Sequence, residues 1–172
     1  FPLMNREIAV VFFYYKSNRF SINALVGAIE SREEIEETDI YFPPKPSRFF
    51  AQIEKAKNNY DTVVAAISFS TPQVWEIADI VKKLRRNPNQ NLKIIAGGPH
   101  PTALPEHTLQ MGFDAVIRGE GEVSFPEFLT RIKSNTSFKD VAGLCYLKSD
   151  NTFVSNPRPP PIDLNDYPPF SK

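Results

Sequence analysis

Thr62-Val63-Val64-Ala65-Ala66-Ile67-Ser68-Phe69-Ser70-Thr71-Pro72 changes character within a few residues. A run rich in valine, isoleucine and threonine gives way to hydroxyls and a proline, the pattern of a strand covered on both faces that runs into a helix. Thr71 is the expected N-cap and Pro72 the first-turn proline, and Val74, Ile77, Ala78, Val81 and Leu84 then recur at helical spacing. A buried strand feeding an amphipathic helix is a βα unit, and the same unit repeats in both directions from this one.

Toward the N-terminus, Ile8 to Tyr15 reads as the first strand, Lys16 to Arg19 as a polar loop, and Ile22, Leu25, Val26 and Ile29 as the apolar stripe of a helix. Glu33 to Glu37 form a solvated turn, and Asp39 to Phe42 is a short strand stopped by Pro43-Pro44. Ser47 is the expected cap of a helix carrying Phe50 and Ile53 and ending at Asn58-Asn59. Toward the C-terminus, Leu92 to Ala96 is a strand broken by Gly97-Gly98-Pro99-His100-Pro101. Pro105 to Met111 is a short helix closed by Gly112, and Ala115 to Arg118 is the fifth strand. Ser124 and Glu127 have the spacing of a capping box, and Gly143 to Lys148 with Thr152 to Val154 predict a hairpin. The expected fold is a doubly wound α/β domain: a mostly parallel five-stranded sheet in the order 2-1-3-4-5, plus a C-terminal hairpin. It spans residues 1–156. Residues 157–172, with six prolines, read as a semi-rigid linker.

Lys and Arg number 20, as do Asp and Glu, so no net field draws the chain to nucleic acid. No run approaches about 20 consecutive apolar residues, and the expectation is a cytoplasmic protein without a membrane partner. Cys145 is the lone cysteine and His100 and His107 the two histidines, too few to ligate zinc or an iron-sulfur cluster.

Open parallel sheets bind ligands outside the carboxyl ends of their strands. Four loops therefore supply the candidate residues: Ser17, Asn18, Arg19 and Phe20; Ser68, Phe69, Ser70 and Thr71; Gly97, Gly98, Pro99 and His100; and Gly119, Glu120 and Gly121. The adjacent glycines serve either a tight turn or the close approach of a flat group to the backbone. The serine hydroxyls serve either as caps or as donors to a polar ring or phosphate. His100 is either a ligand-edge donor or an ordinary surface histidine. Glu120 and Glu122 suit the electropositive start of a helix, and no catalytic residue is assigned.

Taken together the loops form a pattern. Ser68-Phe69-Ser70 follows the third strand and Gly97-Gly98 the fourth, with residues 71–96 between them. Counting back over residues 28–67 from Ser68 reaches Ile22-Asn23-Ala24-Leu25-Val26-Gly27. The run Gly97 to Thr102 is followed by Gly112-Phe113-Asp114, by Arg118-Gly119-Glu120-Gly121-Glu122, and by the tail Ile162-Asp163-Leu164-Asn165-Asp166-Tyr167-Pro168. This resembles the cobalamin-binding domain at the N-terminus of many radical SAM (S-adenosylmethionine) enzymes, which carries D-x-H-x-x-G, S-x-L and G-G motifs after its first, third and fourth strands. Ala24 stands at the position of the cobalt-binding histidine, Ile22 at the aspartate and Ser70 at the leucine.

The resemblance implies that the dimethylbenzimidazole tail of cobalamin lies against Ser68, Ser70, Gly97 and Gly98, with the corrin across the strand ends. It implies base-off cobalt with no histidine or other protein metal ligand, and Lys16 to Phe20 over its lower face. SAM and a 4Fe-4S cluster are expected only in a radical SAM barrel of the same polypeptide beyond this chain, where methyl transfer occurs; the domain alone catalyses nothing. Replacing Gly98 with leucine is expected to abolish corrinoid binding and leave the fold intact. The alternative is a cofactor-free ligand-binding or regulatory domain. A flavodoxin-like carrier fits less well for want of a phosphate loop, and a receiver domain less again, because the third strand ends in Ser68 rather than an aspartate.

Overall fold

The computed structural model describes residues 7–87, 91–161 and 163. Strands β1 (Ile8–Tyr14), β2 (Asp39–Tyr41), β3 (Thr62–Ser68), β4 (Leu92–Gly97) and β5 (Ala115–Ile117) run parallel, and β6 (Leu144–Leu147) and β7 (Phe153–Ser155) are antiparallel. The sheet order is β2-β1-β3-β4-β5-β6-β7. The expected 2-1-3-4-5 order is therefore present, and the hairpin extends the same sheet at the β5 edge to seven strands.

Helices α1 (Arg19–Glu30), α2 (Pro46–Asn59), α3 (Val74–Arg85), α4 (Pro99–Ala103), α5 (Pro105–Gln110) and α6 (Ser124–Lys133) cover the two faces. Side chains alternate across a strand, so β1 sends Val10 and Phe12 to one face and Ala9, Val11 and Phe13 to the other. The first set packs with Ile22, Val26 and Ile29 of α1 and Phe128 and Leu129 of α6. The second packs with Phe49 and Ile53 of α2 and Ile77 and Val81 of α3. Burial on both faces is why β1 and β3 read as nearly unbroken apolar runs rather than alternating ones.

Local capping departs from the sequence reading in three places. Helix α2 starts at Pro46 after Lys45, and Ser47 stays exposed without a capping bond, because the proline already fixes the first turn. The 3-10 turn Thr71–Gln73 that leads into α3 is capped by Ser70 rather than Thr71: the Ser70 N–H and hydroxyl both donate to Gln73 Oε1, at 2.7 and 2.9 Å. At α6, Ser124 lies inside the first turn and donates to the Ala142 carbonyl at 2.6 Å. Glu127 accepts instead from Arg32 and Arg131, at 2.9 and 3.0 Å. In each case a nearby competing partner or a proline outweighed the local cap.

Candidate functional site

Strand register builds the site. Tyr14 pairs with Ser68 and Ser68 with Gly97, so β1, β3 and β4 end level with one another. Just beyond, Lys16–Asn18 makes one turn of 3-10 helix, and Asn18 Nδ2 donates to Ser68 Oγ at 3.0 Å, tying the first loop to the third strand. A cleft opens here and descends between α1 and α6 onto the sheet, with an empty volume, solvent-facing part included, of about 830 Å³. Its rim is polar or bare: Asn18, Ser68, Gly97, Gly98, Gly119, Glu120 and Gly121. Its depth is apolar, from Phe12, Ala66 and Ile95 on the strands to Leu25 and Phe125 on the helices.

Gly97 and Gly98 differ in what they do. A Cβ at Gly97 would meet only the Ile117 carbonyl, at 4.0 Å, and otherwise enter open space. Gly98 has φ +100°, and a Cβ there would sit 2.8 Å from the Phe69 carbonyl and 2.9 Å from Ser68 Oγ. Leucine at Gly98 therefore strains the fold itself, contrary to the expectation of an intact fold, because the backbone of the β3 loop occupies the space a side chain would need.

On the other side of the same loop the structure is closed. Phe69 is fully buried and stacks on His100, with centroids 5.4 Å apart, and on Phe113 at 6.1 Å. His100 is in the short helix α4 and, at 3% exposed, is not a surface histidine. Its Nδ1 lies 3.0 Å from Thr71 Oγ1 and its Nε2 3.2 Å from His107 Nδ1. Burial first, and the neighbouring His107 second, hold the His100 pKa below the ordinary 6.5. Phe69 and His100 thus form the loop's internal packing, Ser70 and Thr71 bond to Gln73 and His100 at its surface, and none of the four lines the cleft. Of the remaining candidates, Pro99 lines the cleft, Ser17 and Arg19 are exposed outside it, and the side chain of Phe20 lies outside the described residues.

The sequence matches the B12 binding domain family over residues 8–129, well over half of the chain. This chain is a B12-binding domain. It is 34% identical over 118 residues, 67% of the chain, to a protein of Pyrococcus horikoshii described as an uncharacterized methyltransferase, and spans only 25% of that protein's length. Among solved structures it superposes on the cobalamin-dependent SAM radical enzyme OxsB with aqua-cobalamin and S-adenosylmethionine bound. There the TM-score is 0.64 at 14% identity, covering 91% of this chain and 23% of the other. It also superposes on the radical SAM methyltransferase TsrM of Kitasatospora setae with cobalamin and a [4Fe-4S] cluster bound. That match has a TM-score of 0.67 at 15% identity and covers 96% of this chain and 31% of the other. At such identity the structural likeness establishes the fold, and cobalamin as the cofactor follows from the family.

The B12-binding domain has a site that suits this group. A planar ring needs an apolar slot with a bare backbone edge, and the cleft supplies both. Several lining residues carry no signature in the sequence. Ala66 keeps the slot open where a β-branched residue is usual, and the step from Val63-Val64 to Ala65-Ala66 within the strand is the one legible hint. Ile22 and Ala24, the positions set against the aspartate and histidine of the first motif, lie inside α1, the helix expected from the stripe Ile22, Leu25, Val26 and Ile29, and Ile22 forms cleft wall. Glu122 is buried at 8% exposure, and its Oε2 has no hydrogen-bond partner. Burial, with a smaller push from Glu120, raises its pKa above the ordinary 4.5 against the opposing pull of its own backbone amide.

Among the described residues, no helix is long and apolar enough to cross a membrane.

Proposed function

We propose that this chain holds cobalamin base-off within a radical SAM enzyme of the methyltransferase type. The nucleotide tail lodges in the cleft between α1 and α6, and no histidine ligates the cobalt. One observation carries the reading: at the level ends of β3 and β4, Ser68 and the bare Gly97 edge top an open apolar cleft. When bound, cobalamin supplies a cobalt centre able to carry a methyl group between donor and acceptor. The protein's contribution is positional. Ser68 and the Gly97-Gly98 backbone offer hydrogen bonds to the tail, Leu25 and Phe125 exclude water from it, and the 3-10 turn at Lys16–Asn18 borders the corrin. Neither histidine lines the cleft, which supports a cobalt without imidazole from this domain.

The whole enzyme's barrel, with its SAM and cluster, follows the proline-rich segment after Asn156 in this reading. The start of that segment lies against the domain, with Pro157 O accepting from the Gly143 N–H at 2.7 Å and the Arg158 guanidinium beside Gly119. The likeness to SAM-dependent cobalamin enzymes supports the assignment. Titration of hydroxocobalamin into the chain tests it. Saturable displacement of the corrin absorption bands is expected, with the spectrum of a cobalamin whose own base has left the cobalt. No binding on the order of tens of micromolar would return the cofactor-free alternative, and a base-on spectrum would remove the base-off assignment alone.

A further inference from the structure

We propose that Glu122 is the polar recognition residue of the cleft, the unsatisfied oxygen of its neutral carboxyl group pairing with a primary carboxamide of the bound corrinoid. This rests on the cobalamin reading above. Glu122 lies two positions before the start of α6, is more than nine-tenths buried, and lines the cleft with one carboxyl oxygen unsatisfied among the described residues. A buried polar atom without a partner is costly, and such atoms are rare in folded proteins unless a ligand or water completes them. Among the described residues no cation lines the cleft beside the carboxyl: the lining residues of α1, β1, β3, β4, β5 and α6 carry no titratable side chain, and Glu120 on the same loop is also acidic. An isolated buried carboxylate beside a second acid favours the protonated state, consistent with the raised pKa. A carboxylic acid offers one donor and one acceptor side by side, the complement of a primary amide; in the cobalamin reading the corrin lies across the mouth of the cleft, and the primary amides of its periphery meet the cleft there, on the side of the 120–122 loop.

Neutral pairing fixes the sign of the pH dependence. Affinity is greatest while Glu122 is protonated and declines as pH rises through its raised pKa. Hydroxocobalamin affinities of the wild-type chain, Glu122→Gln and Glu122→Ala, measured spectrally from about pH 5 to about pH 7.5, make the test, with far-UV circular dichroism to confirm folding. Glutamine, the permanent mimic of the neutral acid, is expected to keep wild-type low-pH affinity and to flatten the profile. Alanine is expected to weaken binding by roughly three- to tenfold at low pH. A wild-type chain that binds while Glu122→Gln loses as much as Glu122→Ala, or keeps the wild-type pH profile, overturns the neutral pairing and leaves the cobalamin reading standing. A wild-type chain that binds no corrinoid at any pH overturns both.

Discussion

The two sides of the Gly97-Gly98 loop use similar polar and aromatic residues to opposite ends. Toward α3 and α5, Phe69 fills the space between His100 and Phe113, and the hydroxyl of Thr71 and both rings of His100 and His107 have partners. Toward α1 and α6, Ala66 leaves the sheet face short of side chain, Gly97 leaves the rim bare, and Glu122 Oε2 has no partner. Hydroxyls and aromatic rings are found on both sides. What separates site from scaffold is whether their volume and hydrogen-bonding capacity are used up within the protein.

The contrast breaks most sharply at Phe69. Phe69→Ala removes a fully buried ring from the closed side and should cost about 3–5 kcal/mol, read as a lowered urea midpoint with an unchanged slope. Corrinoid affinity of the fraction that remains folded should change little, since Phe69 does not line the cleft. A large loss of affinity with intact stability would put Phe69 on the wrong side of this division. Gly98→Leu comes next. The positive φ and the approach to Phe69 O together predict a loss of about 3 kcal/mol, with binding lost alongside the local fold. Gly97→Val is its counterpart: stability should hold to within about 1 kcal/mol, because the new side chain meets open space, while hydroxocobalamin binding falls at least tenfold. Equal destabilisation by the two glycine variants would show that the rim is as tightly packed as the turn behind it.

The sequence displays the architecture because the hydrophobic pattern that dictates it is repeated and local. Burial of β3 on both faces forces an apolar run, and the helices after it must carry a stripe, so Thr62 to Ser68 and Val74 to Leu84 are readable in isolation. It displays the rim residues Ser68, Gly97, Gly98 and Gly119 because strand ends in a parallel sheet converge. It does not display the division between Gly98 and Gly97, which depends on where the Phe69 carbonyl lies, nor the burial of His100, which depends on Phe69 and Phe113 arriving from other units. The apolar depth of the cleft is equally silent. Phe12, Ile95 and Phe125 have the composition of any core, and only the missing volume at Ala66 makes them a wall. Caps misread for the same reason: Ser124 met the Ala142 carbonyl, a contact from 18 positions away.

The smallest predicted effects concern the closed side's own titration. His100 is neutral in the folded chain to a lower pH than in the unfolded chain, because burial and then His107 disfavour its charged form. Above the ordinary 6.5 neither state binds the proton, and His100 contributes no pH dependence. As pH falls below 6.5 the unfolded state takes up a proton that the folded state refuses, so stability declines until the folded pKa is passed and then levels. Urea unfolding at a series of pH values should show this acid limb, and His100→Gln should make it shallower. An identical limb in His100→Gln would mean that other groups carry the acid sensitivity. Thr71→Val tests the same network without changing its charge: loss of the 3.0 Å contact to His100 Nδ1 should cost about 1 kcal/mol. Corrinoid affinity should be unchanged, since Thr71 faces the filled side of the loop and not the cleft.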